Sequence, residues 1–188
     1  MSEQASLFAF EHYPDDSPST DLLLSLAMQS LAKEPQTIFV GQGVSYGGVA
    51  TSKHLEHIPA HQRLEFPVAE ELQLGFCTGL AIQGYLPISV FPRINFLWRA
   101  ADQLINHLDQ LPELSQGQFC PKVIIRTRVG PTAPLNAGPQ HTGDYSEVFR
   151  QLLKTVEVWT IRSKQEIMPI YRHAIATPAS IMVIEDLG

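Results

Sequence analysis

Two acidic residues, Glu70 and Glu71, follow Pro67 at the start of a helical pattern and are the first candidates for chemistry. A carboxyl group in such a position can exchange protons with a bound molecule as a general acid or base. The pair also has an ordinary structural explanation, because negative charge in the first turn stabilises a helix by about 0.3–1 kcal/mol. Composition alone favours the structural explanation over a catalytic role.

Several histidines form the second candidate group. The spacing of His54, Glu56, His57 and His61 could place side chains on one face of a helix, but Pro59 interrupts the pattern. No thiolate or second carboxylate converges with them in the sequence, as a zinc site would require. We therefore expect a solvated connection in this segment and no metal site.

Two further sequence motifs, a dinucleotide-binding fingerprint and a CxxC pair, are not present. The segment Gly41-Gln42-Gly43 follows a predicted strand, but Tyr46 occupies the sixth position and no helical pattern begins there, so the dinucleotide-binding fingerprint is incomplete. Cys77 and Cys120 are the two cysteines and form no CxxC pair. We expect both to be core or subsurface thiols.

The overall composition indicates a soluble intracellular protein. With 188 residues, 44% of them hydrophobic and 17% charged, the chain can bury one hydrophobic core. A formal net charge of −6 disfavours nucleic-acid binding, which needs a concentrated basic face. No apolar run approaches the roughly 20 residues that span a bilayer. We expect no membrane association and a cytoplasmic location.

Short apolar strands alternate with helical patterns through residues 20–188, after a polar arm at residues 1–19. Thr20-Asp21 is the predicted N-cap of the first helix. Strands are predicted at 37–40, 87–91, 122–129, 156–161 and 180–185, and helices at 22–31, 70–85, 96–111, 146–153 and 164–176. This alternation predicts a single α/β domain of three layers, with a mostly parallel sheet and helices on both faces. Ligands of such sheets bind beyond the carboxyl ends of the strands.

The segment at residues 66–88 favours a catalytic role for Glu70. It begins Phe66-Pro67-Val68-Ala69-Glu70, continues as a helix rich in small residues and ends Gly84-Tyr85-Leu86-Pro87-Ile88. This pattern resembles the pyrimidine-binding domain of the beta subunits of thiamine diphosphate-dependent 2-oxo acid dehydrogenases, in the transketolase-like superfamily. The resemblance continues in order through residues 44–49, 95–106, 138–141 and 183–185.

The resemblance implies roles for four residues. Glu70 corresponds to the catalytic glutamate, which bonds the far ring nitrogen of the coenzyme's aminopyrimidine and exchanges a proton with it. Val68 and Phe96 correspond to apolar contacts of that ring, with Phe96 as a stacking surface. His141, in Gly-Pro-Gln-His, corresponds to a histidine that faces the substrate and donates to a developing oxyanion or exchanges protons. No metal ligand is implied in this chain, and Asp102, Gln103 and Asn106 are expected to serve packing or subunit contacts.

A partner is also implied. Diphosphate binding in this superfamily uses a separate domain with a Gly-Asp-Gly motif and a downstream asparagine that hold Mg²⁺, and these residues contain no such motif. We expect an alpha-type subunit to supply that domain in a symmetric heterotetramer that decarboxylates a small 2-oxo acid, with acyl transfer or carboligation. A split transketolase-type carboligase subunit and a non-catalytic interaction subunit remain alternatives.

Three departures from the family pattern are visible. The pattern continues into a second domain of comparable size, whereas this sequence ends at Gly188. The acidic residue that often follows the first strand is replaced around Gln42-Gly43, which argues against proton communication between paired sites. Ala176-Thr177-Pro178-Ala179 replaces the usual Arg-Asp-x-x-Pro, which argues against the family's structural potassium site.

Overall fold

The computed structural model describes residues 18–46, 51–134 and 136–188. Within them, six strands form one sheet: β1 (Thr37–Gly41), β2 (Arg63–Glu65), β3 (Leu86–Val90), β4 (Ile124–Arg128), β5 (Glu157–Ile161) and β6 (Ile181–Glu185). Their order across the sheet is β2-β1-β3-β4-β6-β5. Each of these neighbouring pairs is parallel. The predicted α/β class is therefore confirmed.

The central strands are buried on both faces. All five residues of β6 are buried, and so are four of the five residues in each of β3 and β4. Continuous apolar runs are typical of parallel strands that have helices on both sides, and this is why five strands could be predicted. The edge strand β2 was missed because it has only three residues, two of them charged.

Helices cover both faces of the sheet. They are α1 (Thr20–Leu31), α2 (Glu70–Ile82), the single-turn α3 (Leu111–Leu114), α4 (Ser146–Leu152) and α5 (Lys164–Ala176). Buried residues of α1 and α5 pack with one set of strand side chains, and those of α2, α4 and the segment 94–108 pack with another. These two cores, one on each face, confirm the three predicted layers.

The segment after β3 differs from its prediction as one α-helix. It forms a 3₁₀-helix at Ile94–Ala100 and then a π-helix at Gln103–Leu108. The buried residues Ile94, Leu97 and Ala100 recur every three positions, as the 3₁₀ geometry requires. Leu104 and Leu108 then follow at intervals of four. The change of apolar spacing within the segment accounts for the change of helix type.

The first helix begins with a cap that differs from the prediction. α1 is capped by Ser19, whose Oγ accepts a hydrogen bond from Leu22 N at 3.3 Å, so the predicted cap at Thr20-Asp21 is wrong. The predicted arm, residues 1–19, lies outside the described residues except for its last two. None of the helices in the described ranges combines the length and the hydrophobicity that a membrane span requires.

A buried ion pair joins β4 to β6. Arg126 is fully buried, and its Nε lies 2.7 Å from Glu185 Oε1, which also accepts a 2.7 Å hydrogen bond from the Tyr171 hydroxyl. Burial opposes the charge of Arg126, but the carboxylate of Glu185 outweighs it and raises the pKa of the guanidinium. Burial also opposes the charge of Glu185, yet Arg126 lowers the pKa of that carboxyl group. Both groups therefore stay charged inside the protein.

His54 extends this network to α1. Its Nδ1 lies 2.8 Å from Arg126 Nη2 and its Nε2 lies 3.1 Å from Asp21 Oδ1. Because a guanidinium can only donate, Nδ1 accepts and the proton sits on Nε2, which makes the imidazole neutral. Burial, and then the charge of Arg126, lower the pKa of His54.

The position of His54 corrects the expectation of a solvated connection. His54 is only 3% exposed, whereas His57 and His61 are exposed as expected. Among the described residues, no group of three or more potential metal ligands is found.

Replacing Glu185 with glutamine should destabilise the protein strongly. The substitution leaves the charge of Arg126 buried without compensation, which costs about 3–5 kcal/mol in comparable pairs. Unfolding in urea measures the loss. The matched control is Asp186→Asn, which removes only a surface contact of 3.7 Å with Arg162 and should cost less than about 1 kcal/mol. Equal, small losses in both variants would contradict the importance of the buried pair.

His54 should make stability depend on pH. Its pKa in the folded protein lies below the ordinary value of 6.5, so the unfolded chain binds the proton first. The free energy of unfolding should therefore fall as the pH drops below about 6.5. In His54→Gln the side-chain amide can accept from Arg126 and donate to Asp21 without titrating, so this fall should be smaller. Urea unfolding at pH 7.5, 6.5 and 5.5 makes the comparison, and identical pH profiles would exclude His54 as the cause.

Candidate active site

One buried amide fixes α2 against the carboxyl ends of β1 and β3. Gln73 is fully buried, and the two N–H groups of its Nε2 are shared among three acceptors, Val40 O at 3.3 Å, Val90 O at 3.1 Å and Ser89 Oγ at 3.0 Å. The two strands also approach each other closely, since a Cβ added to Gly41 would lie 2.3 Å from Val90 O. The first turn of α2 is thereby held at the sheet edge where α/β proteins bind ligands.

Glu70 is the first residue of α2 and is only 7% exposed. Within the described ranges its carboxylate has no hydrogen-bond or ion-pair partner. It lines a cavity of about 460 Å³, together with Val68, Ala69, Glu71, Leu72, Gly75, Phe76, Arg99 and Gln103. Because a buried carboxylate normally finds a partner, an unbonded one at a cavity is available to a ligand.

Two polar residues of this cavity, Arg99 and Gln103, were not predicted as site residues. Gln103 was expected to serve packing, and it does so, since its Oε1 would lie 3.0 Å from a Cβ added to Gly75. It also lines the cavity, beside Arg99. Their helical segment follows β3 and faces α2, a contact between separate elements that sequence spacing does not reveal. Asn106 donates to Asp102 Oδ1 at 2.7 Å, as expected for a structural role.

Phe96 and His141 come together from distant parts of the sequence. Their ring centroids are 5.6 Å apart and the rings are nearly perpendicular, at 85°. The loop that carries His141 folds back onto the end of β4, because a Cβ added to Gly130 would lie 2.0 Å from His141 O. His141 and Phe96 are both half-buried.

The four predicted site residues thus form two groups at the same edge of the sheet. Glu70 and Val68 line the cavity at α2, and Val68 is 78% exposed there. Phe96 and His141 lie beyond β3 and β4 and do not line that cavity. The structure pairs the residues within each group; the first group follows the edge strand β2, and the second group follows β3 and β4.

Neither cysteine belongs to these groups. Cys77 lies in the core, as predicted, and burial raises the pKa of its thiol to about 12, so it is not a nucleophile. Cys120 is exposed, and its predicted subsurface position is wrong. It follows a turn and lies in the stretch Phe119-Cys120-Pro121. The neighbouring apolar residue Phe119 is exposed as well.

A parallel sheet with a buried, unbonded carboxylate at a cavity beyond its strand ends defines a ligand-binding α/β domain. The chain belongs to a family described as the transketolase pyrimidine-binding domain, whose model matches residues 16–186. The family resemblance inferred from the motifs is therefore confirmed.

Curated relatives are beta subunits of 2-oxo acid dehydrogenases. The chain is 24% identical over 159 residues to the 3-methyl-2-oxobutanoate dehydrogenase subunit beta of Mycobacterium tuberculosis, covering 83% of this chain and 45% of the relative. It is 31% identical over 110 residues to the mitochondrial 2-oxoisovalerate dehydrogenase subunit beta of Dictyostelium discoideum, covering 57% and 29%. It is 27% identical over 132 residues to the pyruvate dehydrogenase E1 component subunit beta of Mycoplasma pneumoniae, covering 68% and 40%. The chain spans less than half the length of these relatives.

Among solved structures, a split-gene transketolase described as an inactive beta4 tetramer has the same fold. The TM-score is 0.68 at 14% sequence identity, and the match covers 88% of this chain and 50% of that one. This likeness supports the fold alone.

Proposed function

We propose that this chain is the pyrimidine-binding part of a thiamine diphosphate-dependent enzyme that acts on a 2-oxo acid, by decarboxylation with acyl transfer or carboligation. The observation that carries the proposal is Glu70, a buried carboxylate without a partner in the described residues, at the start of α2 and facing a cavity. The family match and the names of the curated relatives support the same assignment.

The cavity suits an aminopyrimidine ring. Such a ring presents nitrogen atoms that bond a carboxyl group and flat faces that need apolar contacts. Glu70 offers the carboxyl group and Val68 an apolar side chain at the same cavity, and its volume of about 460 Å³ falls in the range of small-molecule sites. When bound, the coenzyme supplies a thiazolium carbon that acts as the nucleophile.

In this proposal, Glu70 holds the proton that is exchanged at the ring nitrogen. Glu70 is only 7% exposed, so a ligand in the cavity displaces the little water that reaches its carboxyl oxygens, and the hydrogen bond to the ligand is strengthened. Phe96 offers its ring as a stacking surface. His141, which lies edge-on to Phe96, donates to the negative charge that develops on the substrate oxygen.

We further propose that an alpha-type subunit binds against α2 and carries the diphosphate and Mg²⁺ site, in a symmetric heterotetramer. The outer side of α2 and the turn before it expose apolar side chains at Val68, Leu72, Phe76 and Ile82. A Cβ added to Gly79 would meet no atom within 4 Å, so this helix face is open. Exposed apolar surface of this kind marks an interaction site. An intracellular, cytoplasmic location and a single domain over residues 20–188 remain part of this proposal.

Two alternatives are separated by the same assays. A non-catalytic interaction subunit would have no need of a buried, unbonded Glu70 beside a cavity. A split transketolase-type carboligase would use the same carboxyl group but take a ketose as donor. Supplying a 2-oxo acid and a ketose in parallel to the complex with its partner therefore distinguishes all three.

Replacing Glu70 with glutamine should abolish activity of the complex with the partner, thiamine diphosphate and Mg²⁺. Glutamine preserves the size of the side chain but cannot exchange the proton, and the loss of a general acid-base lowers kcat by about 10²–10⁴-fold. Release of CO₂ from the 2-oxo acid measures the effect. The control is Glu147→Gln, an exposed glutamate in the first turn of α4, which should leave kcat unchanged. Full activity of Glu70→Gln would refute the proposed function.

Replacing His141 with asparagine should lower kcat more than it weakens coenzyme binding. The loss of one donor to a developing oxyanion costs about 10²–10³-fold in kcat. Steady-state kinetics and a coenzyme titration of the same complex give the two quantities. A loss that appears only as weaker coenzyme binding would show that His141 supports the shape of the site and does not act on the substrate.

A further inference from the structure

Two arginines lie next to each other at the carboxyl ends of adjacent strands. β3 and β4 are parallel, and Val90 is in register with Arg126. Arg93 lies three residues beyond Val90, and Arg128 lies two residues beyond Arg126. Since neighbouring strands are about 4.8 Å apart, the two residues leave the sheet side by side.

Neither guanidinium is paired with an acid in the described residues. Arg93 donates from Nη1 to Pro92 O at 2.7 Å, and Nε of Arg93 and Nε of Arg128 are both buried without an acceptor. Burial, and then the charge of Arg128, lower the pKa of Arg93. By contrast, Arg126, Arg150 and Arg162 each lie within 4.0 Å of a carboxylate.

This arrangement is electrostatically unfavourable. Two cations that are partly desolvated repel each other, and a buried donor without an acceptor costs stability. Arg128 also lines a cavity of about 420 Å³, so its side chain borders open space. Two carboxylates of that cavity are already engaged: Glu185 bonds Arg126, and Asp21 bonds Lys53.

Arg93 also borders the loop that carries His141. A Cβ added to Gly130 would lie 3.0 Å from Arg93 Nε and 2.0 Å from His141 O. The Arg93 side chain therefore packs over Gly130, next to the backbone of His141, whose ring contacts Phe96. An anionic group held by Arg93 would lie on the side of the site where the substrate, rather than the aminopyrimidine ring, is expected.

We propose that Arg93 and Arg128 bind a second anionic group of the substrate, a carboxylate or a phosphate remote from the reacting carbonyl. The inference rests on the proposed function and narrows its substrate class to dicarboxylic 2-oxo acids; in the carboligase alternative the corresponding substrates are phosphorylated ketoses. The planar guanidinium donates two parallel hydrogen bonds to either anion, which explains why arginine serves both.

The test compares matched substrates with the complex of this chain, its partner, thiamine diphosphate and Mg²⁺. One pair is 2-oxoglutarate and 2-oxopentanoate, which differ in the terminal carboxylate, and the other is xylulose 5-phosphate and xylulose. For whichever pair the complex turns over, Arg93→Met should lower kcat/KM for the anionic substrate by about 10- to 100-fold. It should change the neutral member by no more than about twofold, and Arg93→Lys should retain part of the preference. Which pair responds identifies the anion as carboxylate or phosphate.

A second measurement does not depend on catalysis. Inorganic phosphate, titrated into the complex at constant ionic strength, should raise the Tm of the wild type and have no effect on Arg93→Met or Arg128→Met. Without phosphate, Arg93→Met should not lower Tm, because it removes a repulsion. Arg162→Met, which alters an exposed arginine, is the control and should keep both the substrate preference and the phosphate effect.

Two results would overturn the inference: equal losses of kcat/KM on both members of a pair, or a phosphate effect that survives in Arg93→Met. These results are independent of Glu70. Full activity of Glu70→Gln would refute the proposed function, while the phosphate titration would still decide whether the two arginines bind an anion.

Discussion

The arrangement of the site depends on the hydrogen bonds of one buried amide. Gln73 ties α2 to the ends of two neighbouring strands, and Gly41 leaves room for Val90 O, one of the oxygens that Gln73 contacts. Glu70 lies one helical turn before Gln73, so the same contacts that anchor the helix also fix the position of the carboxylate. A helix held only by apolar packing could slide or rotate, whereas directional hydrogen bonds to two strands prevent both motions.

The protein treats its buried charges in two different ways. Between the layers, Arg126 and Glu185 neutralise each other, and hydrogen bonds with His54 and Tyr171 help to keep these ions inside the protein, although Nη1 of Arg126 has no acceptor in the described residues. At the carboxyl edge of the sheet, by contrast, Glu70 and Arg93 lack oppositely charged partners in the described chain. Because a charge that is partly removed from water without an opposite partner costs stability, its persistence at this edge supports the proposed role in binding, whereas the neutralised pair argues for folding.

The sequence predicted those parts of the fold that depend on local patterns. Five strands and four helices follow from apolar runs and helical spacing, and α5 was found with its boundaries at Lys164 and Ala176. The short charged strand β2 and the switch from 3₁₀ to π geometry depend on tertiary contacts and were missed. The prediction that His54 is solvated was wrong for the same reason. A histidine in a polar stretch is expected to be exposed, and its burial is explained by contacts with Arg126 and Asp21, which are distant in the sequence. The site residues came from a motif, while Arg93, Arg99 and Arg128 have no local signal.

The exposure pattern around the cavity supports the proposal that a partner subunit completes the site. Glu70 is shielded by its own chain, but Val68, which lines the same cavity, is 78% exposed, and Leu72 is 60% exposed. A ligand in this cavity would therefore contact the protein on one side and water on the other. Proton exchange between a carboxyl group and a ligand is most effective where water is excluded, since bulk solvent weakens the hydrogen bond. A partner surface that covers Val68, Leu72 and Phe76 would bury their apolar area and would also close the cavity. Binding of the partner would therefore complete the site.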